Sequence, residues 1–191
     1  STIGTRRKDF DAEIYNRILG SQSSDVLFVS GGSSNQISTS GVSIQKTLTN
    51  ILPTAQVLAM CDRDDKSPAE VTQFEQSGGI VLGKRNLESY LLADDVIEAL
   101  VLREEKGHLL ADAAKVKADA LANSVNRGNA TDDLKSAAGD IYTGLKRVLG
   151  LQRCGNSTET FLRDTLAPLI VAPMATYQEL KAAVIDRLPP S

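Results

Sequence analysis

The sequence predicts an α/β fold, in which a parallel sheet is flanked by helices and followed by a helical C-terminal extension. Between residues 26 and 82, short apolar runs alternate with helical patterns in the order strand, helix, strand, helix, strand. That alternation is typical of a parallel sheet with helical crossovers. From residue 86 onward the patterns are helical. We therefore place the α/β core at residues 1–92 and the extension, packed on the same domain, at residues 93–191.

The composition restricts the class of protein. The 191 residues are 41% hydrophobic and 24% charged, which is typical of a globular domain with a sizeable core. The net charge of −3 argues against non-specific coating of nucleic acid, and the chain has no apolar run long enough to predict a membrane span. Cys61 and Cys154 form no paired motif, which favours a reduced, cytoplasmic protein. Because the chain begins at Ser1, we expect a piece of a longer protein.

The first elements follow from apolar spacing. Phe10, Ile14 and Ile18 recur every four residues and are followed by Gly20, which predicts an amphipathic helix that ends at the glycine. The apolar run 26–29 predicts the first strand. Residues 43–52 predict a helix that Pro53 closes.

The central feature is an apolar run at residues 57–61 that ends in Asp62, Arg63, Asp64 and Asp65. A strand here would place Asp62 at its carboxyl end, the edge of an α/β sheet where ligands bind. Crowded carboxylates repel each other unless a cation lies between them, and oxygen ligands favour Mg²⁺, Mn²⁺ or Ca²⁺. The pattern predicts a divalent-metal site. The alternative is an acidic loop that caps the next helix.

A second group of charged residues follows the third predicted strand. The sequence Ser67 to Glu70 is a capping box with a proline at the first helical position, so it begins a helix that runs to about residue 77. Residues 80–82 then predict a strand, after which Lys84, Arg85 and Glu88 lie at the same sheet edge as Asp62. They offer two cations and a carboxylate to a metal or phosphate. The alternative is a solvated helix start.

The extension contains several predicted helices. A second capping box at residues 176–179 predicts that the last helix begins there and runs to about residue 188. His108 is the only histidine, so a Ser–His–Asp or Cys–His arrangement has little support, and no phosphate-binding loop of the ATPase type is present. The remaining helices are predicted at residues 86–92, 95–106, 108–123, 134–149 and 161–170.

The acidic loop has other possible identities. It lacks the central glycine of an EF-hand, and Gln73 stands where the terminal glutamate belongs. It fits a haloacid-dehalogenase phosphatase poorly, because Asp65, Lys66 and Ser67 follow. A glycosyltransferase Asp-x-Asp motif stays open, without a second supporting motif.

An ordered series of motifs resembles the Toprim domain of the OLD (overcoming lysogenization defect) family of ATPase-linked nucleases. The series begins with Cys61-Asp62-Arg63-Asp64-Asp65 and continues through a capped helix to the segment 85–92. Residues 134–142 resemble the family's late lysine-bearing helix. Residues 155–170 resemble its closing segment. Together these motifs span most of the chain.

The resemblance implies a metal-dependent DNA endonuclease with one or two Mg²⁺ or Mn²⁺ ions. Asp62 and Asp64 match the family's metal ligands, and Glu88 matches a further acidic position. Lys135 matches a lysine that steadies the transition-state phosphate, so we expect Asp62 and Lys135 to be catalytic. Such metals activate water and neutralise charge on phosphate.

Partners also follow from the resemblance. We expect DNA as the substrate, an ATPase in another domain or subunit, an oligomer formed through that ATPase, and a role in anti-phage defence. Lys84 and Arg85, with Arg6 and Arg7, are candidates for phosphate contact; the alternative is that they are solvated charges.

The chain departs from the Toprim pattern at one position. A Toprim domain opens with a strand that ends in Glu-Gly, whereas Ile3 precedes Gly4 here. An alignment on the 26–29 run puts Ser30 at that position instead. We prefer the first alignment, since Asp11 and Tyr15 then lie on the expected helix. Asp9 or Asp11 is a possible partial replacement, and the alternative for Asp11 is a simple helix N-terminal charge.

We carry three functional hypotheses forward. The first is the nuclease. The second is a catalytically degenerate Toprim module that serves as an interaction or regulatory domain of an ATPase. The third is a phosphotransferase or phosphatase that uses Asp62 as its nucleophile.

Overall fold

A computed structural model describes residues 10–20, 25–30 and 56–188 of the chain. Two strands are present in this part, β1 (Met60–Cys61) and β2 (Ile80–Val81). The helices are α1 (Phe10–Leu19), α2 (Pro68–Gln76), α3 (Glu88–Leu91), α4 (Asp94–Arg103), α5 (Leu110–Asn126), α6 (Leu134–Val148), α7 (Thr158–Thr160) and α8 (Ala175–Val184). A π-helical turn (Phe161–Leu166) continues α7, and 3-10 turns occupy Gly107–Leu109, Ala167–Leu169 and Ile185–Arg187.

The two strands form a parallel pair connected by a helix. Met60 pairs with Ile80, and Cys61 pairs with Val81. Helix α2 makes the crossover between them, so the order strand, helix, strand predicted for residues 57–82 is confirmed, with shorter strands. The protein thus contains a small parallel sheet within a mostly helical structure.

The start of α2 forms as its capping box predicts. The Ser67 hydroxyl accepts the Glu70 backbone N–H at 3.3 Å, and the Glu70 carboxylate accepts the Ser67 backbone N–H at 2.7 Å. Gly78, just past the helix, has a φ of +87°, which a glycine adopts without strain.

The strand predicted at residues 26–29 is wrong for the described part of the chain. Residues 26–30 pair with no strand among the described residues, and Leu27 and Val29 are 77% and 71% exposed. Their local partner is a helix: the Asn16 side-chain amide accepts the Phe28 N–H at 2.9 Å and donates to its carbonyl at 2.7 Å. Apolarity predicted burial, but the segment is attached to α1. The helix predicted at residues 43–52 lies outside the described residues.

The core is built by the helices. Helices α5 and α6 pack closely, and α6 presents an apolar face of the kind that its sequence predicts. Side chains from both the predicted core and the predicted extension join one buried cluster. The largest fully buried side chains are Tyr90, Phe161, Ile14, Leu19, Leu82, Leu87, Leu91, Leu92, Leu100, Ile141, Leu145 and Leu149.

The last helix begins differently from the prediction. Helix α8 starts at Ala175, its N-cap residue is Met174, and the predicted capping box does not form. Instead, the carboxylate of Asp95 on α4 accepts the Thr176 backbone N–H at 3.0 Å and the Thr176 hydroxyl. A residue 81 positions away therefore caps α8, which local spacing does not reveal. None of the described helices is both long and apolar enough to span a bilayer.

Candidate functional site

The acidic loop lies at the carboxyl end of β1, as predicted. Asp62 directly follows Cys61, the last residue of the strand, and its side chain is 19% exposed. The Lys66 ammonium donates to the Asp62 carbonyl at 2.7 Å and so closes the loop on itself. A short strand followed by this turn holds Asp62 at the sheet edge.

Glu88 reaches the same edge from β2. It is the first residue of the one-turn helix α3, and its side chain is only 10% exposed. The Asn86 side-chain oxygen accepts the Ser89 backbone N–H at 3.1 Å and its hydroxyl at 2.8 Å, which fixes the turn. Glu88 Oε2 is buried and has no hydrogen-bond partner within residues 10–20, 25–30 and 56–188. A buried unpaired carboxylate oxygen is unfavourable, because it loses water without gaining a donor.

Lys135 brings a positive charge to both carboxylates. It is the second residue of α6, a helix whose N-cap Asp133 accepts the Ser136 backbone N–H at 3.1 Å. Its Nζ lies 3.9 Å from Asp62 Oδ2 and 3.8 Å from Glu88 Oε1. These are ion-pair distances rather than hydrogen bonds. The structure therefore brings together three of the predicted residues, Asp62, Glu88 and Lys135.

The carboxylates share a crowded and partly dehydrated environment. Burial raises the pKa of Asp62 to about 7, the negative charge of Asp11 adds to the increase, and Lys135 opposes it. Burial also raises the pKa of Glu88, and Lys135 again opposes the shift. Desolvation lowers the pKa of Lys135, but the surrounding carboxylates outweigh it, so the net shift is upward and the ammonium stays charged.

Asp11 acts electrostatically on Asp62 and Lys135. The sequence left two roles open for it, a partial replacement of the missing glutamate or a simple helix N-terminal charge. It lies in the first turn of α1, and its residue surface is exposed. Even so, desolvation by the surrounding protein raises the pKa of its carboxyl, and the nearby Lys135 ammonium lowers it. Asp11 in turn raises the pKa of Asp62. Its charge therefore acts on the site, and it is more than a helix-terminal charge. The signal in the sequence was its place, with Tyr15, on the helix of the preferred alignment.

Asp64 lies at the edge of the cluster. It is exposed, and its backbone has a φ of +44°, a left-handed conformation that aspartate tolerates better than most residues. Its charge contributes to the raised pKa values of Asp62 and Lys135. Asp64 is thus near the other carboxylates but is less enclosed than they are.

Of the four candidate phosphate contacts, Lys84 and Arg85 have other partners, and Arg6 and Arg7 lie outside the described residues. Lys84 Nζ lies 3.0 Å from Glu179 Oε2 and 4.9 Å from the centre of the Tyr90 ring. The Arg85 guanidinium pairs with Asp65 and with Asp132, and its side chain is only 12% exposed. A phosphate would have to compete with these ion pairs.

The donor set fits a hard divalent cation in its chemistry. Four carboxylates, those of Asp11, Asp62, Asp64 and Glu88, act electrostatically on one ammonium, that of Lys135, which leaves an excess of negative charge. The described residues also offer the buried Glu88 Oε2 no hydrogen-bond donor, and a cation would satisfy this oxygen. No group of three or more His, Cys, Asp or Glu side chains in residues 10–20, 25–30 and 56–188 forms a ready-made metal site. A cation would therefore have to draw the carboxylates together.

Comparisons with known proteins give no neighbour: the chain matches no family model, no curated protein and no solved structure. The resemblance to the OLD-family Toprim domain stays a prediction from the sequence motifs.

Proposed function

We propose that this chain is the metal-dependent DNA endonuclease domain of an OLD-like ATPase-nuclease. The observation that carries the proposal is the cluster of Asp62, Glu88 and Lys135, in which Glu88 Oε2 is buried and has no hydrogen-bond partner among the described residues. Asp62 directly follows β1, Glu88 begins the short helix after β2, and Lys135 lies at the start of α6. A buried, incompletely satisfied carboxylate cluster at a sheet edge is a typical site for cation-assisted chemistry.

Each residue has a role in this proposal. Asp62, Glu88, Asp64 and Asp11 hold one or two Mg²⁺ or Mn²⁺ ions. When bound, such ions activate a water molecule and neutralise charge on the phosphate. Lys135 is half exposed, with 54% of its side chain accessible, so its ammonium can leave the carboxylates and bind a phosphate oxygen. A lysine ammonium is positively charged near neutral pH in an exposed position as well, so it can carry its charge to the phosphate.

A second candidate is a degenerate Toprim module that regulates an ATPase partner. The observation that favours it is the lack of a ready-made metal group in the described part of the chain, together with Lys135 already paired to both carboxylates. Such a module binds its partner but does not cleave DNA. DNA as substrate and anti-phage defence belong to the first proposal, whereas the ATPase and the oligomer formed through it belong to both. All of them rest on the resemblance.

The deciding experiment is plasmid cleavage by the full chain with Mg²⁺ and then Mn²⁺. The parent is compared with Glu88→Gln, with an Asp62→Ala, Asp64→Ala double variant, and with Asp119→Asn as a matched control. Asp119 is an exposed carboxylate paired with Lys115 on α5, away from the site. Nicking by the parent and by the control, but by neither site variant, supports the nuclease.

Two other outcomes are informative. If the site variants cut as well as the parent, the activity is a contaminant and the proposal fails. In the other outcome, neither the parent nor any variant cuts DNA. If the parent then binds Mn²⁺ in a calorimetric titration and the double variant does not, the degenerate module is favoured.

A further inference from the structure

Three loops meet around the side chain of Arg85. Its Nη1 lies 3.2 Å from Asp132 Oδ1, and its Nη2 pairs with Asp65 Oδ1. Arg63 Nη2 contacts the other oxygen of the same aspartate, Asp132 Oδ2, at 2.6 Å. We call these four side chains, Arg63, Asp65, Arg85 and Asp132, the Arg85 cluster. It joins the acidic loop, the loop after β2 and the loop before α6.

Main-chain contacts reinforce the same junction. The Asp64 N–H donates to the Arg85 carbonyl at 2.8 Å, so Arg85 holds the acidic loop through its backbone as well as its side chain. One residue further on, the Asn86 amide lies 3.4 Å from Asp133 Oδ1. The loop after β2 is therefore attached to both of its neighbours.

This junction lies next to Lys135, the residue that supplies the positive charge of the site. Asp132 lies three positions before Lys135, and Asp133 caps the helix on which Lys135 stands. The acidic loop begins at Asp62, and the loop after β2 leads directly into Glu88. The segments joined by the Arg85 cluster are thus the same three that bring Lys135, Asp62 and Glu88 together.

We propose that Arg85 is a positioning residue of the candidate site, which holds the start of α6 against the two carboxylate-bearing loops so that Lys135 stays near Asp62 and Glu88. The proposal rests on the proposed nuclease function and assigns Arg85 a role other than phosphate contact. Only 12% of the Arg85 side chain is exposed, and its guanidinium is paired with the carboxylates of Asp65 and Asp132. A lysine cannot replace it, because an ammonium lacks the planar fork that bridges two carboxylates.

The kinetic test separates positioning from phosphate contact. We compare Arg85→Lys and Arg85→Gln with Arg187→Gln, a control that also removes an ion pair and a carbonyl contact. Arg187 bonds Glu75 at 2.5 Å and the Val81 carbonyl at 3.3 Å. Positioning predicts that both Arg85 variants lose about 10- to 100-fold in kcat with little change in KM, as displaced catalytic groups do. The control keeps the parental kcat.

Two kinetic results would overturn the proposal. A raised KM and a smaller salt dependence of DNA binding, with kcat unchanged, would make Arg85 a phosphate contact. The second result is a fold-decrease in kcat on Arg85→Gln that is equally large in the parent and in a Lys135→Gln background. It would show that Arg85 does not act through Lys135.

A measurement without substrate distinguishes failure of this proposal from failure of the nuclease assignment. In hydrogen exchange, Arg85→Gln is expected to speed exchange at residues 62–66 and 130–136 and to leave the interior of α5 unchanged. If the parent cuts no DNA but this local acceleration occurs, the nuclease assignment fails and the positioning role stands. Unchanged exchange in both segments refutes the positioning role, whether or not the parent cuts.

Discussion

The raised pKa of Asp62 makes the stability of the metal-free protein depend on pH. Burial and the charge of Asp11 raise this pKa from 3.8 to about 7 in the folded state. Between pH 4 and pH 7 the Asp62 carboxyl therefore binds more protons in the folded protein than in the unfolded chain. The contribution of Asp62 to stability falls as pH rises through this window. Asp62→Asn, which keeps the shape but removes the charge, is expected to stabilise the protein at pH 8 and to change little at pH 4.

The size of the effect follows from the shift. The pKa of Asp62 rises from 3.8 to about 7, and each pKa unit corresponds to about 1.36 kcal/mol. The free-energy cost of ionising Asp62 in the folded protein at pH 8 is therefore at most about 4 kcal/mol. The negative charges of Asp11 and Glu88 contribute to the shift, and these two carboxyls can take up protons themselves, which reduces that figure. We expect Asp62→Asn to raise the free energy of unfolding at pH 8 by about 1–4 kcal/mol.

Urea unfolding of the metal-free protein at pH 4, 5, 6, 7 and 8 measures this difference. Asp119→Asn is the matched control: its exposed pair with Lys115 contributes little, so we expect a loss of less than about 1 kcal/mol. Added Mg²⁺ should raise the free energy of unfolding of the parent at pH 8 more than that of Asp62→Asn, because a ligand stabilises the state that binds it. A parent as stable at pH 8 as at pH 4, with Asp62→Asn no more stable than the parent, would refute the reasoning.

Two further predictions concern the fold. Ser67→Ala removes the hydroxyl that caps α2 and should lower the free energy of unfolding by about 1 kcal/mol, measured in urea. Ser136→Ala is the comparison at the start of α6, because it removes only a hydroxyl bond to Asp133 and leaves the Asp133 cap in place. Gly144→Ala places a methyl group against Val116 Cγ1, between α6 and α5, closer than two carbon atoms normally approach. We expect it to lower the free energy of unfolding by about 1–3 kcal/mol. Combining it with Val116→Ala should recover part of that loss in thermal unfolding, and no recovery would contradict the close contact as its cause.

Local patterns predicted the local structure of this chain well. The capping box at Ser67, the apolar spacing in α1 and the change from apolar run to carboxylates after Cys61 each correspond to an observed element. These features depend on neighbours within one turn or one strand. The juxtaposition of Asp62 and Glu88 was also predictable, because parallel strands present their carboxyl ends at one edge.

Distant contacts were the part that the sequence could not supply. The 26–29 run reads as a buried strand, yet Phe28 bonds Asn16 on α1 instead. Thr176 belongs to an apparent capping box, but Asp95 supplies the cap. The sequence predicts Arg85 as a phosphate contact or a solvated charge, whereas its guanidinium bonds two aspartates that lie 20 and 47 residues away. In each case a tertiary partner outweighed a local preference.

The wide spacing of the site residues along the chain has a consequence for how the protein folds. Asp11, Asp62 and Glu88 come from three separate segments, and Lys135 comes from a fourth. Three carboxylates that approach one another before the ammonium arrives repel each other. Folding pathways in which α6 packs early onto α3 avoid this repulsion. Pathways that first bring the carboxylate-bearing segments together have a higher free-energy barrier because of it. Lys135 would then act during folding as well, as the charge that lowers the barrier to assembling the other three segments.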